Sequence, residues 1–211
     1  MVLKNFVVFE GCDGSGTTTQ RRILEEKLIE YQKERPLFRF HTTCEPTDGP
    51  AGALLRQILL KRLEAAPETR AYLFSADRNE HLFGKDGIAG RCSNGELVIC
   101  DRYTLSSLVY QGIECGIELP KTLNSRFPVP ELLLFFDIEP EAALSRAAAR
   151  GKPELYDRLE FQTKVRERYH ALLASCSEAG AEVAVIDAAA SVEKVASDVW
   201  SAVEKLPIFN Q

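Results

Sequence analysis

Four short runs of consecutive hydrophobic residues predict strands: Phe6–Phe9, Leu97–Cys100, Leu132–Phe136 and Val183–Ile186. Each run is apolar throughout and does not alternate with polar residues, which is typical of strands covered on both faces in a parallel sheet. A weaker strand is predicted at Leu37–Thr42. The pattern therefore predicts a parallel sheet to which all five segments contribute.

An acidic residue directly follows each of the four strong apolar runs. These residues are Glu10, Asp101, Asp137 and Asp187. Open α/β sheets bind their ligands at the carboxyl ends of the parallel strands. The four carboxylates are therefore expected at the ligand-binding edge of the sheet.

Segments with helical periodicity separate the predicted strands. Ser191 is the predicted N-cap of the last helix, and Pro140 is predicted to open another helix at Glu141–Arg150. The apolar face of the last helix would consist of Val192, Val195, Ala196, Val199, Val203 and Leu206. Strands and helices alternate over residues 1–211 without internal repeats or a linker, which predicts one doubly wound α/β domain.

Composition and charge narrow the classes of function. Of the 211 residues, 45% are hydrophobic, and the formal net charge is −5. A net negative charge argues against a general nucleic-acid or membrane-surface binder, so an anionic ligand requires a local basic site. The six cysteines show no metal-ligand spacing, which indicates reduced thiols and a cytoplasmic protein. The run Phe6–Phe9 is too short for a signal peptide, and no segment reaches transmembrane length.

A glycine-rich segment, Gly11–Thr18, follows the first predicted strand and precedes a predicted helix. Its glycines allow successive backbone N–H groups to converge on an anion, and the helix N-terminus favours negative charge. The segment matches G-x-x-x-x-G-K-[ST] except that Thr17 replaces the lysine, while Thr18 is retained as the predicted Mg²⁺ ligand. A turn that binds nothing is the alternative, but the position between a strand and a helix favours phosphate binding.

Five groups of residues resemble the thymidylate kinase family over nearly the full length of the chain. They are Phe9–Gly16 with Thr18–Gln20, Glu45–Thr47 with Gly52 and Arg56, Leu73–Arg78 with His81 and Leu82, Asp101–Tyr103 with Ser106–Leu108 and Tyr110–Gly112, and Asp157–Glu160. The resemblance implies the three-layer phosphate-loop kinase fold, with a five-stranded parallel sheet and helices on both faces. It also implies a homodimer that transfers a phosphoryl group from ATP to dTMP with Mg²⁺ as cofactor, in dTTP synthesis, and with neither nucleic acid nor a membrane as partner.

The resemblance also implies which residues form the site. ATP would be bound by Gly11, Cys12, Asp13, Gly14, Ser15, Gly16, Thr17, Thr18, Thr19, Arg146 and Arg150. dTMP would be bound by Asp13, Glu45, Arg56, Phe74, Arg78, Arg102, Ser107, Tyr110 and Gln111. Mg²⁺ would be held by Thr18 and Asp101, and the catalytic residues would be Asp101, Arg102, Arg150 and Arg158.

Within the dTMP set, the resemblance implies distinct tasks. Arg102 would hold the acceptor phosphate, since its planar fork suits bidentate contact. Phe74 would stack on thymine, while Arg78, Ser107 and Gln111 contact its polar edge. Tyr110 would press against the 2′ position, where a ribose hydroxyl does not fit. Taken alone, Phe74 and Tyr110 would each be interpreted as ordinary core aromatics.

Basic residues are frequent between Arg146 and Arg168. This segment is either a solvated helix face or, as the resemblance implies, a lid at about 146–160 that closes over ATP. Some thymidylate kinases carry a catalytic arginine in the phosphate loop and others carry it in the lid. Gly14 stands where the first group has arginine, so the resemblance favours the lid type.

Two positive charges expected at the reaction centre are missing. Thr17 replaces the lysine, and Cys44 stands where bacterial members of the family usually have an arginine for the acceptor phosphate. Loss of such a charge can cost several powers of ten in rate. Either another cation compensates, or the protein is slow or inactive. The candidates are Arg56, Arg146, Arg150, Lys152 and Arg158.

Two other functions remain open from the sequence. A deoxynucleoside kinase of the same fold would need Glu10 or Asp101 as a base for a sugar hydroxyl. A nucleotide-binding module that has lost catalysis and acts through a partner would explain the missing lysine. The three histidines, His41, His81 and His170, form no ligand spacing and are interpreted as structural.

Overall fold

The computed structural model describes residues 1–148 and 154–210. Five strands form one sheet, in the order β2-β3-β1-β4-β5. They are β1 (Val2–Gly11), β2 (Phe40–Cys44), β3 (Leu97–Asp101), β4 (Val129–Asp137) and β5 (Glu182–Asp187). Every neighbouring pair is parallel. The predicted α/β class with a five-stranded parallel sheet is confirmed.

Helices connect the strands throughout the described residues. They are α1 (Thr17–Glu34), α2 (Pro50–Leu59), α3 (Pro67–Phe83), α4 (Ile88–Ser93), α5 (Thr104–Cys115), α6 (Glu118–Asn124), α7 (Pro140–Ala148), α8 (Leu159–Glu178) and α9 (Val192–Val203), and the 3₁₀ turn Pro207–Asn210 follows them. The described ranges contain no helix that is both long enough and apolar enough to cross a membrane.

The two faces of the central strand β1 pack against different helices. Val7 and Phe9 belong to a core cluster with Leu24 of α1. Val8 belongs to a second cluster with Leu82 of α3. Because successive side chains of a strand point to opposite faces, helices lie on both sides of the sheet. The predicted three-layer arrangement is confirmed.

The strand predicted at Leu37–Thr42 is shifted toward the carboxyl end of the chain and forms β2. Leu37 is 96% exposed. It lies in a turn that follows α1, in which the Phe38 N–H donates to the Arg35 carbonyl at 2.9 Å. Pro36, which has no N–H and a fixed φ, favours this turn over an extended conformation. Pairing with β3 therefore begins at Phe40, just after the Arg39 carbonyl, which accepts a hydrogen bond from the Leu97 N–H at 3.0 Å.

The prediction that Val183–Ile186 is covered on both faces is wrong. β5 is an edge strand. Val185 is 57% exposed, whereas Ile186 is buried. The interior strands β1, β3 and β4 have continuous apolar sequence, and so does the edge strand β5. The sequence of one strand therefore does not show its place in the sheet.

The last helix begins as predicted. The Ser191 hydroxyl accepts a hydrogen bond from the Lys194 N–H at 3.3 Å and caps α9. Val192 does not join the buried face, because it lies at the exposed first turn, half open to solvent. Leu206 is buried but follows the end of the helix.

The first turn of α7 is also as predicted. The helix begins at Pro140, and its described part ends at Ala148. The predicted lid at about 146–160 includes residues 149–153, which lie outside the described residues. The six cysteines are free thiols, as predicted.

Candidate active site

A cavity of about 600 Å³ opens at the carboxyl ends of β1, β2 and β3. Most of the predicted site residues line it. They are Asp13, Gly14, Gly16, Thr17, Thr18, Thr19, Glu45, Arg56, Phe74, Arg78, Asp101, Arg102, Ser107, Tyr110, Gln111 and Arg146. The predicted residues that do not line it are Gly11, Cys12, Ser15 and Arg158, and Arg150 lies outside the described residues. Residues predicted for two different substrates therefore share one cavity.

The glycines of the phosphate loop are required by its backbone. Gly14 and Gly16 have φ values of 89° and 94°, in the left-handed region that glycine adopts readily. A Cβ on Gly14 would lie 2.0 Å from the Ala143 carbonyl oxygen, and one on Gly11 would lie 2.6 Å from Ser15 Oγ. The loop thus packs closely against α7 and leads into the first turn of α1. The N–H groups of that turn have no acceptor within the helix.

Thr18 and Asp101 meet at the mouth of the phosphate loop. Thr18 Oγ1 donates to Asp101 Oδ2 at 2.7 Å. Asp101 Oδ1 is buried and has no hydrogen-bond partner in the part of the chain that the structure describes. Carboxylate and hydroxyl oxygens suit Mg²⁺, so this pair fits the predicted ion. Thr17 lies beside it, 6% exposed, and contributes no charge.

Arg102 lies over the phosphate loop. Its φ of 75° is left-handed, which is uncommon outside glycine. Its Nη2 donates to Asp13 Oδ1 at 2.8 Å, and its Nη1 donates to the Gly11 carbonyl and to the hydroxyls of Tyr110 and Tyr169. The bent backbone therefore holds one guanidinium between the loop and the aromatic end of the cavity.

Glu10 lies behind the cavity and not in its lining. Its carboxylate accepts hydrogen bonds from the N–H groups of Tyr103 and Ser106, at 3.0 and 3.2 Å, and from the Tyr169 hydroxyl at 2.9 Å. Burial raises the pKa of Glu10, and Arg102 and the hydrogen bonds partly offset this. Glu10 holds the turn after β3 and is not placed to take a proton from a substrate hydroxyl.

The expectation that four carboxylates share the ligand-binding edge is correct for Asp101 but not for the other three. Besides the buried Glu10, Asp137 accepts hydrogen bonds from Arg166, with Nε at 2.7 Å. Asp187 is exposed and accepts from a backbone N–H two residues later. The cavity opens over β1, β2 and β3, so the ends of β4 and β5 lie outside it.

The aromatic end of the cavity contains Phe74 and Tyr110. Phe74 on α3 is partly exposed and lines the cavity. Tyr110 on α5 is 4% exposed, with its ring centroid 5.2 Å from that of Tyr156. Gln111 Nε2 donates to the Tyr156 hydroxyl at 3.4 Å. This end offers a flat aromatic surface with amide and hydroxyl groups at its rim.

Arg78 is 1% exposed, and all three of its guanidinium nitrogens have acceptors. Nε and Nη2 contact Glu45 Oε2 at 2.9 and 2.6 Å. Nη1 donates to Ser107 Oγ and Asn124 Oδ1, and Nη2 donates to the Tyr103 carbonyl. The carboxylate of Glu45 is therefore committed to Arg78, although both residues line the cavity as predicted.

His81 holds Glu45 from the other side. Its Nδ1 lies 3.1 Å from Glu45 Oε1, and its Nε2 lies 2.7 Å from Thr43 Oγ1. Since an ionised carboxylate only accepts, Nδ1 carries a proton and donates a hydrogen bond to Glu45. His81 thus belongs to the hydrogen-bonded layer behind Arg78, in agreement with its structural interpretation.

Two of the cations proposed to compensate for the missing lysine line the cavity. Arg56 on α2 lies 3.1 Å from Asp48 Oδ1, and its Nη2 also donates to the Pro46 carbonyl. Arg146 on α7 donates to the Ala188 carbonyl at 2.8 Å. Both guanidinium groups already have protein acceptors.

Among the other proposed cations, only Arg158 lies within the described residues. Arg158 is the exposed residue before α8 and does not line the cavity. Arg150 and Lys152 lie outside the described residues. Farther along α8, Lys164 pairs with Glu160 at 2.8 Å, as expected of a solvated helix face. The catalytic role of Arg158 and the lid itself stay predictions.

Comparison with known proteins identifies the family. The family model described as thymidylate kinase matches residues 9–199. A Treponema pallidum protein whose name places it among thymidylate kinases is 41% identical over 197 residues, which cover 92% of each chain. A thymidylate kinase of a Synechococcus species is 35% identical over 209 residues, covering 96% of each chain.

The chain belongs to the thymidylate kinase family. The resemblance inferred from the motifs is thereby confirmed, and a deoxynucleoside kinase is not favoured. The matched region includes the phosphate loop, Asp101–Tyr103 and α8.

Seven further residues line the cavity of this thymidylate kinase family member and were not among the predicted site residues; four of them are Cys44, Pro46, Leu59 and Ser106. The other three are Arg22 on α1, and Glu154 and Tyr156 between α7 and α8. Arg22 could have been found from the sequence, because it follows Thr18 by four positions and shares its face of the helix. Tyr156 lines the cavity while its ring stacks on that of Phe161, with centroids 4.9 Å apart. No local sequence pattern indicates this position.

Proposed function

We propose that this chain transfers the γ-phosphoryl group of ATP to the 5′-phosphate of dTMP, giving ADP and dTDP. One observation carries the proposal: the phosphate loop, the Asp101–Arg102 pair and the aromatic end at Phe74 line the same cavity of about 600 Å³. Small-molecule sites have volumes of roughly 300–1,000 Å³. Membership of the thymidylate kinase family supports the same pair of substrates.

The reaction requires positioning more than proton transfer. An oxygen of the dTMP phosphate attacks the γ-phosphorus, and the bond to the oxygen that bridges the β- and γ-phosphates breaks, so that ADP leaves with that oxygen. The nucleophile is already an anion, so no general base is needed. This fits the burial of Glu10 away from the cavity. Catalysis then rests on holding two polyanions in line beside positive charge.

At the donor end, the phosphate loop would hold ATP. The first-turn N–H groups of α1 and the left-handed glycines provide donors for the phosphates. Thr18 and Asp101 would hold Mg²⁺, since their oxygens lie together and Asp101 Oδ1 lacks a partner in the described residues. When bound, the ion would neutralise charge on the phosphate oxygens.

At the acceptor end, Arg102 would contact the dTMP phosphate. The base would stack on Phe74, with Gln111 at its polar edge. Arg78 is held by Glu45, so in this proposal it presents a fixed wall and does not swing toward the base. The pocket is thereby shaped before the nucleotide arrives, which lowers the entropic cost of binding.

A coupled ADP-release assay with a panel of acceptors tests the proposal. We expect dTMP to be the best acceptor, dUMP to be weaker, and dAMP and dGMP to be negligible. Equal turnover of the purine monophosphates would refute the assignment of the base site. Thymidine turned over in preference to dTMP would indicate a deoxynucleoside kinase. ATP binding without turnover of any acceptor would indicate a binding module.

We also infer a homodimer for this family member. On α3, Tyr72 and Phe83 are 56% and 55% exposed. They are three helical turns apart and lie on one face with the exposed Ala76. The exposed Asn79 lies between Ala76 and Phe83 on this face, and the two large apolar side chains on either side of it favour burial against a second copy. In sedimentation equilibrium the parent should be a dimer, and Tyr72→Glu should dissociate to monomers at higher protein concentration than the parent does. A monomeric parent would refute the inference.

A further inference from the structure

The cavity lacks positive charge at two places where phosphate transfer would use it. Thr17 and Cys44 both line the cavity, and neither carries a charge. Phosphoryl transfer between two polyanions depends on cations at the transferring group. A compensating cation must have its charge available to a ligand and must reach the phosphate loop.

Four of the arginines in the cavity lining are already bound to protein acceptors. Arg56 pairs with Asp48, and Arg78 pairs with Glu45. Arg102 pairs with Asp13, and Arg146 donates to the Ala188 carbonyl. Using any of them for a phosphate would require an existing contact to be shared or given up.

Arg22 is different. It is exposed, lines the same cavity, and has neither an ion pair nor a hydrogen bond from its side chain within residues 1–148 and 154–210. Its neighbour Arg21 instead points toward Glu25, at 3.7 Å, and is not part of the lining. Of these two adjacent residues of one helix, Arg22 therefore lines the cavity and Arg21 does not.

The geometry of α1 directs Arg22 toward the phosphate loop. It lies four residues after Thr18, about 6 Å farther along the axis and on nearly the same face. Long helical side chains lean back toward the N-terminus, which here is the loop. α1 also packs against β2, the strand that ends at Cys44. The Arg22 side chain therefore starts from the helix that follows the loop and packs against the strand ending at Cys44, and it lines the cavity that Thr17 and Cys44 also line.

We propose that Arg22 is a catalytic residue that contacts the phosphate groups between donor and acceptor and supplies the charge that Thr17 lacks. The proposal rests on the proposed function. A guanidinium with no protein acceptor can offer two parallel N–H donors to one phosphate without breaking an existing contact. The contact strengthens as charge builds up on the transferred group, so it acts mainly on turnover.

Turnover of Arg22→Ala is the first test, with Arg21→Ala as the matched control. Both variants remove the same charge from the same turn of α1. At saturating ATP and dTMP, we expect kcat to fall roughly 100-fold in Arg22→Ala and to change less than about threefold in Arg21→Ala. Arg22→Lys, which keeps the charge but not the fork, should fall between them. Equal effects of the two alanine variants would overturn the proposal.

Rescue is the second test. If Arg22 replaces the lysine, adding Thr17→Lys to Arg22→Ala should raise kcat roughly tenfold or more. The same substitution in the parent should change kcat much less. A structural role of Arg22 would not produce this rescue. Additive effects of the two substitutions would show that the positions do not share a phosphate.

Binding of ATP and ADP separates this proposal from the proposed function. Calorimetry should show that Arg22→Ala weakens ATP binding roughly tenfold and ADP binding much less, because only ATP has the γ-phosphate. Arg21→Ala should weaken neither. A parent without turnover would refute the proposed function, and the comparison of ATP with ADP would then decide the role of Arg22 alone. Equal loss for both nucleotides would overturn it.

Discussion

Tyr110 belongs to both the hydrophobic core and the cavity wall. Its ring packs with Tyr156 and Tyr169, at centroid distances of 5.2 and 6.4 Å. Its hydroxyl accepts a hydrogen bond from Arg102 at 3.3 Å. At the scale of one residue, the same side chain therefore supports the arginine and limits the space beside it.

Replacing this ring should widen the sugar site. A well-packed wall has no room for an additional hydroxyl. We expect Tyr110→Ala to reduce the preference for deoxyribose over ribose monophosphates roughly tenfold, measured as the ratio of kcat/KM for dTMP and its ribose analogue. Tyr110→Phe keeps the ring and should keep the preference. An unchanged ratio in Tyr110→Ala would show that the ring does not face the sugar.

Removing one partner of the buried pair of Arg78 and Glu45 should strongly lower folding stability. Glu45→Gln leaves the Arg78 guanidinium buried without its carboxylate, so we expect a loss of about 3 kcal/mol in the free energy of unfolding. The change should also raise the KM for dTMP. Glu160→Gln, at the exposed pair with Lys164, is the matched control and should leave urea denaturation unchanged. Similar denaturation of both variants would contradict this.

At the scale of elements, the phosphate loop depends on its contact with α7. Gly14 and Gly16 have similar left-handed φ values, but the surroundings differ. A Cβ on Gly14 would collide with the Ala143 carbonyl, whereas nothing lies within 4 Å of a Cβ on Gly16. The donor site therefore depends on how closely the loop and α7 approach each other.

This pair of glycines gives a matched test. Both alanine substitutions carry the left-handed penalty of about 1 kcal/mol. Gly14→Ala must in addition displace the loop or α7, so we expect it to lower ATP affinity at least roughly tenfold more than Gly16→Ala does. Calorimetric titration with ATP, combined with thermal unfolding, measures both effects. Equal ATP affinities would mean that the contact with α7 does not shape the donor site.

At the scale of the whole molecule, charge is separated between surface and cavity. The chain has a formal net charge of −5. Among the described residues, the lining nevertheless contains five arginines and four acidic residues, a formal excess of one positive charge. This local excess in a negatively charged protein favours an anionic substrate.

A carboxylate outside the cavity should make global stability depend on pH. Burial raises the pKa of Asp137, but hydrogen bonds from Arg166 and His170 outweigh it and hold the pKa below its ordinary value of 3.8. A lowered pKa in the folded state means that the stabilisation is complete above the ordinary value and is lost as the pH falls through the folded value. We expect Asp137→Asn to be less stable than the parent at pH 5, with a difference that shrinks below about pH 4.

Urea denaturation from pH 6 to pH 3 measures this difference. Asp187→Asn is the control, because Asp187 at the end of the neighbouring strand is exposed and forms no ion pair within the described residues. It should follow the parent at every pH. A difference between Asp137→Asn and the parent that stays constant down to pH 3 would contradict the prediction.

The sequence by itself determined the features that depend on residues close together in the chain. Continuous apolar runs predicted β1, β3 and β4, because a strand buried on both faces has no polar positions. Gly11–Thr18 predicted the phosphate loop, because left-handed backbone and close approach need glycine at fixed spacing. The order of the motifs identified the family, which the comparisons confirmed.

The tertiary structure alone decided which side chains face the cavity and which hold it in place. Glu10 and Asp101 both follow apolar strands, yet one is enclosed by Tyr169 and the turn after β3, and the other lines the cavity. The sequence also does not show whether a charged side chain has a protein partner. Glu45 is bound by Arg78, whereas Arg22 has no protein partner in the described residues. These outcomes depend on sheet order and on contacts between residues far apart in the chain, which local periodicity does not encode.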